Sequence, residues 1–407
     1  MADIRPFCAV RPAVELADKI AALPYDVYNR EEAAQIVKDN PLSFLKIDRA
    51  ETNFDASVST YAPEVYDKAK ELIETMIKEG QFVEDTDRCY YIYRLTMNGR
   101  AQSGIVACAS VDDYCNNVIM KHENTREEKE LDRIRHIDTT SCQTGPIFLA
   151  FRDVDTISNI MKEEEAKTPL YQFVSEDGIE HCVWKISDEE NNIKLQTAFS
   201  LMDKIYIADG HHRCASAVKV GLQRRKDGVI QESDHFLSVL FPESELKILD
   251  YNRVLKDLNG KTVDDILEEL KPHFVIEESE CAVSPSQKGE FGMILDDKWY
   301  KLTIKEEFLS DDPVDGLDVS LLQDYVLRPI FGIENPKTDN RIDFVGGIRG
   351  LGELERRNKL DCSAAFSMYP TSMKELFAVA DEGKLMPPKS TWFEPKLRSG
   401  LFIHKLE

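Results

Sequence analysis

The chain has 407 residues, enough for two or three domains or for one large domain with additions. Hydrophobic residues make up 42% and charged residues 31%, a mixture that supports a folded core and excludes wholesale disorder. The formal charge of -23 repels nucleic-acid backbones, so no nucleic-acid partner is expected.

The opening Met1-Ala2-Asp3-Ile4-Arg5-Pro6-Phe7 lacks the apolar run of a signal peptide. No stretch approaches the ~18 apolar residues of a spanning helix, so no membrane partner is expected and the protein is read as cytoplasmic. Leu23-Pro24-Tyr25-Asp26-Val27 reads as a turn before a helix capped by Asn29, with Ala33, Ile36 and Val37 at helical spacing. A second helix is expected from Pro63 to Lys78, stopped at Gly80. Cys89 to Leu95 and Gly104 to Val111 read as partner strands joined through Asn98-Gly99, a two-residue hairpin turn. A strand from Asn117 to Met120 then delivers Lys121-His122-Glu123-Asn124. A helix opens at Thr125, with Glu128 completing a capping-box pattern. On that helix Lys129, Asp132, Arg133 and His136 form one polar stripe, either a site wall or an ordinary ion-pair face; the ordinary face is the expectation.

Strands near Gly145 to Phe151 and Cys182 to Ile186 frame the run Glu163-Glu164-Glu165, read as a solvated helix face. The apolar strand Lys204 to Ala208 ends at Asp209-Gly210-His211-His212-Arg213, and Cys214 to Val220 should continue as a helix stopped by Gly221. The basic cluster Arg224-Arg225-Lys226 reads as a solvated helix end or loop. The strand Phe236 to Phe241 closes this region. Beyond about Tyr251 helical segments around Val263 to Lys271 alternate with short strands such as Trp299 to Ile304, which suggests domains over 1–250 and 251–407. The tail Met386 to Leu397 is rich in rigid, aromatic and cationic residues and could pack back on the core. The nine cysteines are an odd number at irregular spacings, without a Cys-x-x-Cys pair, so reduced thiols are expected.

A strand, a sharp turn and a helix start make an anion site, because the first N–H groups of a helix lack internal partners and the helix dipole adds positive charge there. Gly210 lets the turn bend and a phosphate approach, Arg213 can fork onto two phosphate oxygens, and His211 and His212 can donate further bonds. Asp209 would need a metal, a histidine or a substrate group beside it; with a nucleotide, magnesium is the usual remedy. The same residues could instead form a metal site at Asp209, His211 and His212 or a structural turn. Glu123, at the other strand-to-helix junction, has the chemistry of a general base oriented by His122, or of a helix-entry decoration. Tyr25 and Asp26 could stand at the site mouth, and Lys389, Ser390 and Lys396 could close over phosphate, or these segments could serve only as a rigid turn and a docked tail.

The Asp209 to Arg213 turn resembles the phosphate-binding turn of the ParB and sulfiredoxin-like superfamily, in which free serine kinases use a similar Asp-Gly-His-His-Arg sequence. The chain as a whole, through Arg5-Pro6-Phe7, Pro24-Tyr25-Asp26-Val27, His122-Glu123-x-Thr125, Asp209 to Arg213 and Lys389-Ser390-Thr391-x-Phe393-x-Pro395-Lys396-Leu397, is similar to a bacterial domain-of-unknown-function family, number ten-fifteen. The resemblance implies a mixed α/β (α+β) fold with a ParB/sulfiredoxin-like nucleotide-binding core and extensions at both ends. It implies transfer of phosphate from ATP or ADP, with magnesium, to the hydroxyl of free L-serine. Glu123 would be the base, Asp209 would orient serine or the metal, and Gly210, His211, His212 and Arg213 would hold the phosphates. The alternative is a non-catalytic nucleotide-binding switch of the ParB type. More residues separate Glu123 from Asp209 here than in the compact kinases.

Overall fold

In the computed structural model every residue is described except Arg126 and Asp227; the side chains of Glu128 and Lys129 also lie outside the described residues. The expected Thr125–Glu128 capping box and the Lys129 end of the polar stripe therefore lie outside them. The chain divides into two compact units, Met1–Leu246 with Pro395–Glu407, and Lys247–Glu394. Both mix helices and strands. No helix among the described residues is long and apolar enough to cross a membrane.

The first unit is built on a mixed sheet of nine strands. They are β1 (Ile4–Arg5), β2 (Tyr90–Met97), β3 (Arg100–Ser110), β4 (Ile119–Met120), β5 (Ile147–Phe151), β6 (Tyr171–Val174), β7 (Glu180–Ile186), β8 (Ile205–Asp209) and β9 (His235–Pro242). Their order is β4-β8-β5-β9-β3-β2-β7-β6, with β1 paired to β3. The central strands are continuous apolar runs, as strands covered on both faces must be: β5 and β9 are buried at every residue. The β2–β3 hairpin turns at Asn98 (φ 51°) and Gly99 (φ 78°), the left-handed pair that a tight hairpin needs. A second, four-stranded sheet orders Phe82–Glu84, Ala9–Pro12, Ile403–Lys405 and Cys142–Gln143, so the last residues of the chain pair with the first.

The helices that bear on the site are α1 (Arg30–Asp39), α2 (Pro63–Lys78), α3 (Glu127–Thr140) and α4 (His211–Arg224). Helix α1 starts where Asn29 accepts from the Glu32 N–H and Glu32 bonds back, a full capping box. Helix α2 starts on Pro63 and buries Val65, Ala69, Ile73 and Met76, spaced as an inward face.

Two local expectations fail. Helix α4 runs through Gly221 to Arg224. A Cβ at Gly221 would lie 2.4 Å from the Ser233 carbonyl oxygen, so the glycine permits close packing and does not stop the helix. The acidic run at 163–165 is not a solvated face, because Glu164 is buried and accepts from Lys167 at 2.7 Å and Asn191 at 2.8 Å. Arg224 and Arg225 pair with Asp138, Asp112 and Asp234, so the basic cluster carries its own counter-charges.

The second unit holds a six-stranded antiparallel sheet, ordered Phe274–Ser279, Lys298–Ile304, Glu290–Leu295, Ala364–Met368, Tyr251–Leu255 and Ile342–Gly346. A short ladder joins Ile248–Leu249 to Trp392–Phe393. All nine cysteines are free, five of the six buried ones lying in the first unit.

Candidate functional site: a glycine-capped helix start beside two clefts

The strands β4 and β8 are parallel neighbours, registered Ile119 with Ile205 and Met120 with Tyr206. The ladder ends there, and His122 follows β4 beside the first turn of α4, where its N–H lies 3.5 Å from His211 Nε2. Both strands therefore end at the same sheet edge, the place where α/β sheets carry ligands. The β5 ladder slips at this point: Ile207 faces Leu149 but Asp209 faces Phe148. This bulge re-aims the end of β8 just before the turn.

Gly210 follows at φ 90° and ψ 31°, a left-handed conformation in which a side chain is strained. It caps α4 without a side-chain hydrogen bond, and its own N–H donates to Asp209 Oδ1 at 2.9 Å. Arg213 lies over it: a Cβ at Gly210 would come within 3.1 Å of Arg213 Nε and Nη2. Arg213 Nη1 donates to the Pro146 carbonyl at 2.7 Å, and Nη2 stands 4.0 Å from Asp209 Oδ2.

Asp209 is ionised by its neighbours. Burial alone would raise its pKa, but Lys396, Arg213 and the Gly210 N–H outweigh burial and hold the carboxyl well below the usual carboxylate range. Lys396 Nζ reaches Asp209 Oδ2 at 3.1 Å. The segment that carries Lys396 is pinned just beyond it. Arg398 is buried, ion-pairs with Asp177 and bonds Ser175 at 3.1 Å, and Ser399 exchanges backbone hydrogen bonds with Ala22.

The two histidines of the turn differ. His211 is buried, with its ring edge-on to His122 at 4.5 Å between centroids and its Nε2 3.5 Å from the His122 N–H. Burial, then His122, push its pKa well below the usual value, so it is neutral at pH 7 and faces inward. His212 is half-buried. His122 is 1% exposed, with its ring against the Ile207 backbone. Burial lowers its pKa to about 4. Glu123 is half-buried at the mouth of α3. Asp209, His211 and His212 do not converge: among the described residues no cluster of three His, Cys, Asp or Glu side chains could hold a metal ion. The metal-site reading of the turn is corrected by the inward packing of His211.

One cleft opens beside the turn, and a second shares part of its wall. Arg213, Gly145, Thr144 and Ser399 line the first. Arg49, Glu51, Tyr66 and Asp132 line the second. Tyr25, Asp48, Arg133 and His136 line both. Asp132, Arg133 and His136 of the polar stripe therefore line the clefts and do not form an ordinary surface face: Arg133 and His136 are buried. Arg133 stacks over the Tyr25 ring at 4.0 Å. Burial pushes the Tyr25 hydroxyl up to about 12, so it stays protonated. Asp26 is exposed and lines neither cleft. Lys389 and Ser390 belong to the second unit. There Ser390 Oγ donates to the Pro387 carbonyl at 2.7 Å and Lys389 Nζ stands 5.4 Å from the Tyr251 ring centroid.

Sequence reading missed Asp48, Thr144, Ser399 and the inward role of Arg133 and His136. One signal was available. Helix α3 lacks a full apolar stripe, so the face it turns inward has to include polar residues.

Residues 4–320 match the model of the family described as protein of unknown function DUF1015. The chain belongs to this family. No curated protein matches the sequence. Among solved structures, it is similar to a free serine kinase mutant in complex with AMP, at 15% identity and TM-score 0.36, covering 71% of this chain and 87% of that one. It is also similar to SbnI with a C-terminal truncation from Staphylococcus aureus (12% identity, TM-score 0.38, covering 71% and 82%). A conserved hypothetical protein from Pyrococcus furiosus is similar at 17% identity and TM-score 0.34, over 72% of this chain and 93% of its own.

Proposed function

We propose that the chain is a small-molecule kinase that moves a phosphoryl group from ATP or ADP to the hydroxyl of free L-serine, giving O-phosphoserine, on a ParB/sulfiredoxin-like core formed by the first unit. The observation that carries this reading is the start of α4: a left-handed glycine caps the helix, and Arg213 is held over that glycine at the wall of a cleft. Unpaired first-turn N–H groups and a guanidinium fork are what an anionic phosphate needs. Gly210, His212 and Arg213 hold the phosphates in this reading, and neutral His211 braces the turn from inside.

The reaction then runs as an in-line displacement. The serine Oγ attacks the terminal phosphorus, the new O–P bond forms as the bridging P–O bond breaks, and the nucleotide leaves shortened by one phosphate. Glu123, which follows β4 at the entry to α3, takes the proton from Oγ in this reading. Asp209 orients Lys396, whose ammonium faces the developing charge. Asp209, held ionised, is the residue that would hold a magnesium ion brought with the nucleotide, and such an ion would supply charge neutralisation.

The test is incubation with ATP or ADP, magnesium and free amino acids, followed by detection of phosphoserine. Glu123→Gln should lower the rate ~100-fold or more and Arg213→Ala ~1000-fold. Full activity in both variants sinks these roles. Nucleotide binding without phosphoserine would mark a switch of the ParB type.

A further inference from the structure

The wall shared by the two clefts carries charges that the phosphate turn does not use. Asp48 is 4% exposed, and its side chain accepts one hydrogen bond, from Thr144 Oγ1 at 2.7 Å. It forms no ion pair among the described residues, although Arg133 stands close enough to feel its charge. A buried carboxylate on a cleft wall without a paired cation can receive a ligand's positive charge. Beside it, Arg133 is 8% exposed and directs Nε and Nη2 at Asp132 Oδ2, at 2.9 and 2.7 Å. The other Asp132 oxygen accepts from Tyr66 at 2.9 Å. Arg133 Nη1 has no partner among the described residues, so the guanidinium keeps donors for a ligand on the cleft wall. The Tyr25 ring fixes the plane of that guanidinium from one face. The remaining shared residue, His136, is spent on the Ile47 carbonyl at 3.2 Å and is neutral, its pKa lowered to about 4 by burial and then by Arg133.

One fixed carboxylate and one fixed guanidinium on the same wall match a zwitterion. We propose that this wall is the acceptor subsite and that it takes a free α-amino acid, Asp48 receiving the α-ammonium and Arg133 the α-carboxylate. The assignment rests on the kinase reading above and names the residues that select its acceptor. With both backbone charges held, the side-chain hydroxyl is left to face the Arg213 end of the first cleft. A serine within a peptide has neither charge, and its entry would leave Asp48 without an ion-pair partner.

Three acceptors separate the two charges: L-serine, 3-hydroxypropionate, which lacks the ammonium, and L-serine methyl ester, which lacks the carboxylate. The wild-type protein should prefer serine over either analogue by ~100-fold in kcat/KM, the usual penalty for leaving a buried charge unpaired. Asp48→Asn keeps the shape and the acceptor for Thr144. It should raise the serine KM ~100-fold, abolish the preference over 3-hydroxypropionate and leave nucleotide affinity within about twofold. Arg133→Met should do the same for the methyl ester. Phosphoserine formation with wild-type KM in both variants overturns the subsite and leaves the kinase standing. If no phosphoserine forms at all, calorimetric titration of L-serine into each protein decides. Saturable binding by the wild type that is lost in Asp48→Asn upholds the subsite while the kinase reading falls; no binding, or equal binding, overturns it.

Discussion

Two arginines reach the same cleft from two helices, and they are held in opposite ways. Arg213 comes from the first turn of α4, lies against a backbone without a side chain, and spends one nitrogen on the Pro146 carbonyl. Arg133 comes from the middle of α3, is buried, and is clamped between an aromatic ring and a carboxylate. The first kind of cation is placed by a local turn and can grip a mobile anion. The second is placed by packing, its charge partly answered by Asp132, and suits a ligand whose geometry must be checked. The difference also extends to their carboxylates: Asp209 is answered by Lys396 from the far end of the chain, whereas Asp48 forms no ion pair among the described residues.

The largest effect that would break this contrast comes from Lys396. Lys396→Met should lower phosphoryl transfer ~100-fold, with the fold intact by circular dichroism. It should also change the pH profile. Asp209 has a depressed pKa, so its ionised form persists as pH falls through the ordinary carboxylate range and is lost only below the folded value. Without Lys396, burial gains weight, the pKa rises, and an acid limb should appear at higher pH than in the wild type. An unchanged limb would mean that Lys396 does not govern Asp209.

A smaller effect tests the local side. Gly210→Ala puts a Cβ on a residue at φ 90° and within 3.1 Å of Arg213, so it should cost about 1–2 kcal/mol in denaturant titration and weaken nucleotide binding. A variant as stable and as tight as wild type would show that the turn does not depend on its left-handed residue. The smallest effect is at Asn29, whose side chain caps α1. Asn29→Ala should cost about 1 kcal/mol, measured the same way, and leave both clefts unchanged in activity assays.

Much of the fold was legible because its signals are local. The α2 helix was readable from Pro63 and a 3.6-residue apolar spacing, the β2–β3 hairpin from Asn98-Gly99, and the α1 start from Asn29 and Glu32. The Glu163–Glu165 run and Gly221 were misread for a common reason: each is decided by a distant neighbour. Glu164 accepts from Asn191, 27 residues on, and Gly221 packs against the backbone at Ser233.

The sequence alone determined the strand-turn-helix at Asp209 to Arg213, since an apolar strand, a glycine able to adopt positive φ and a following helix are all encoded within about twenty consecutive residues. Only the tertiary structure decided that His211 turns inward, that Lys396 answers Asp209 across 187 residues of sequence, and that Asp48, Thr144 and Arg133 share one wall. The physical reason is that a turn follows from backbone preferences of neighbouring residues, whereas the partner of a buried charge is chosen by whichever distant segment the packing of the sheet and helices brings within reach.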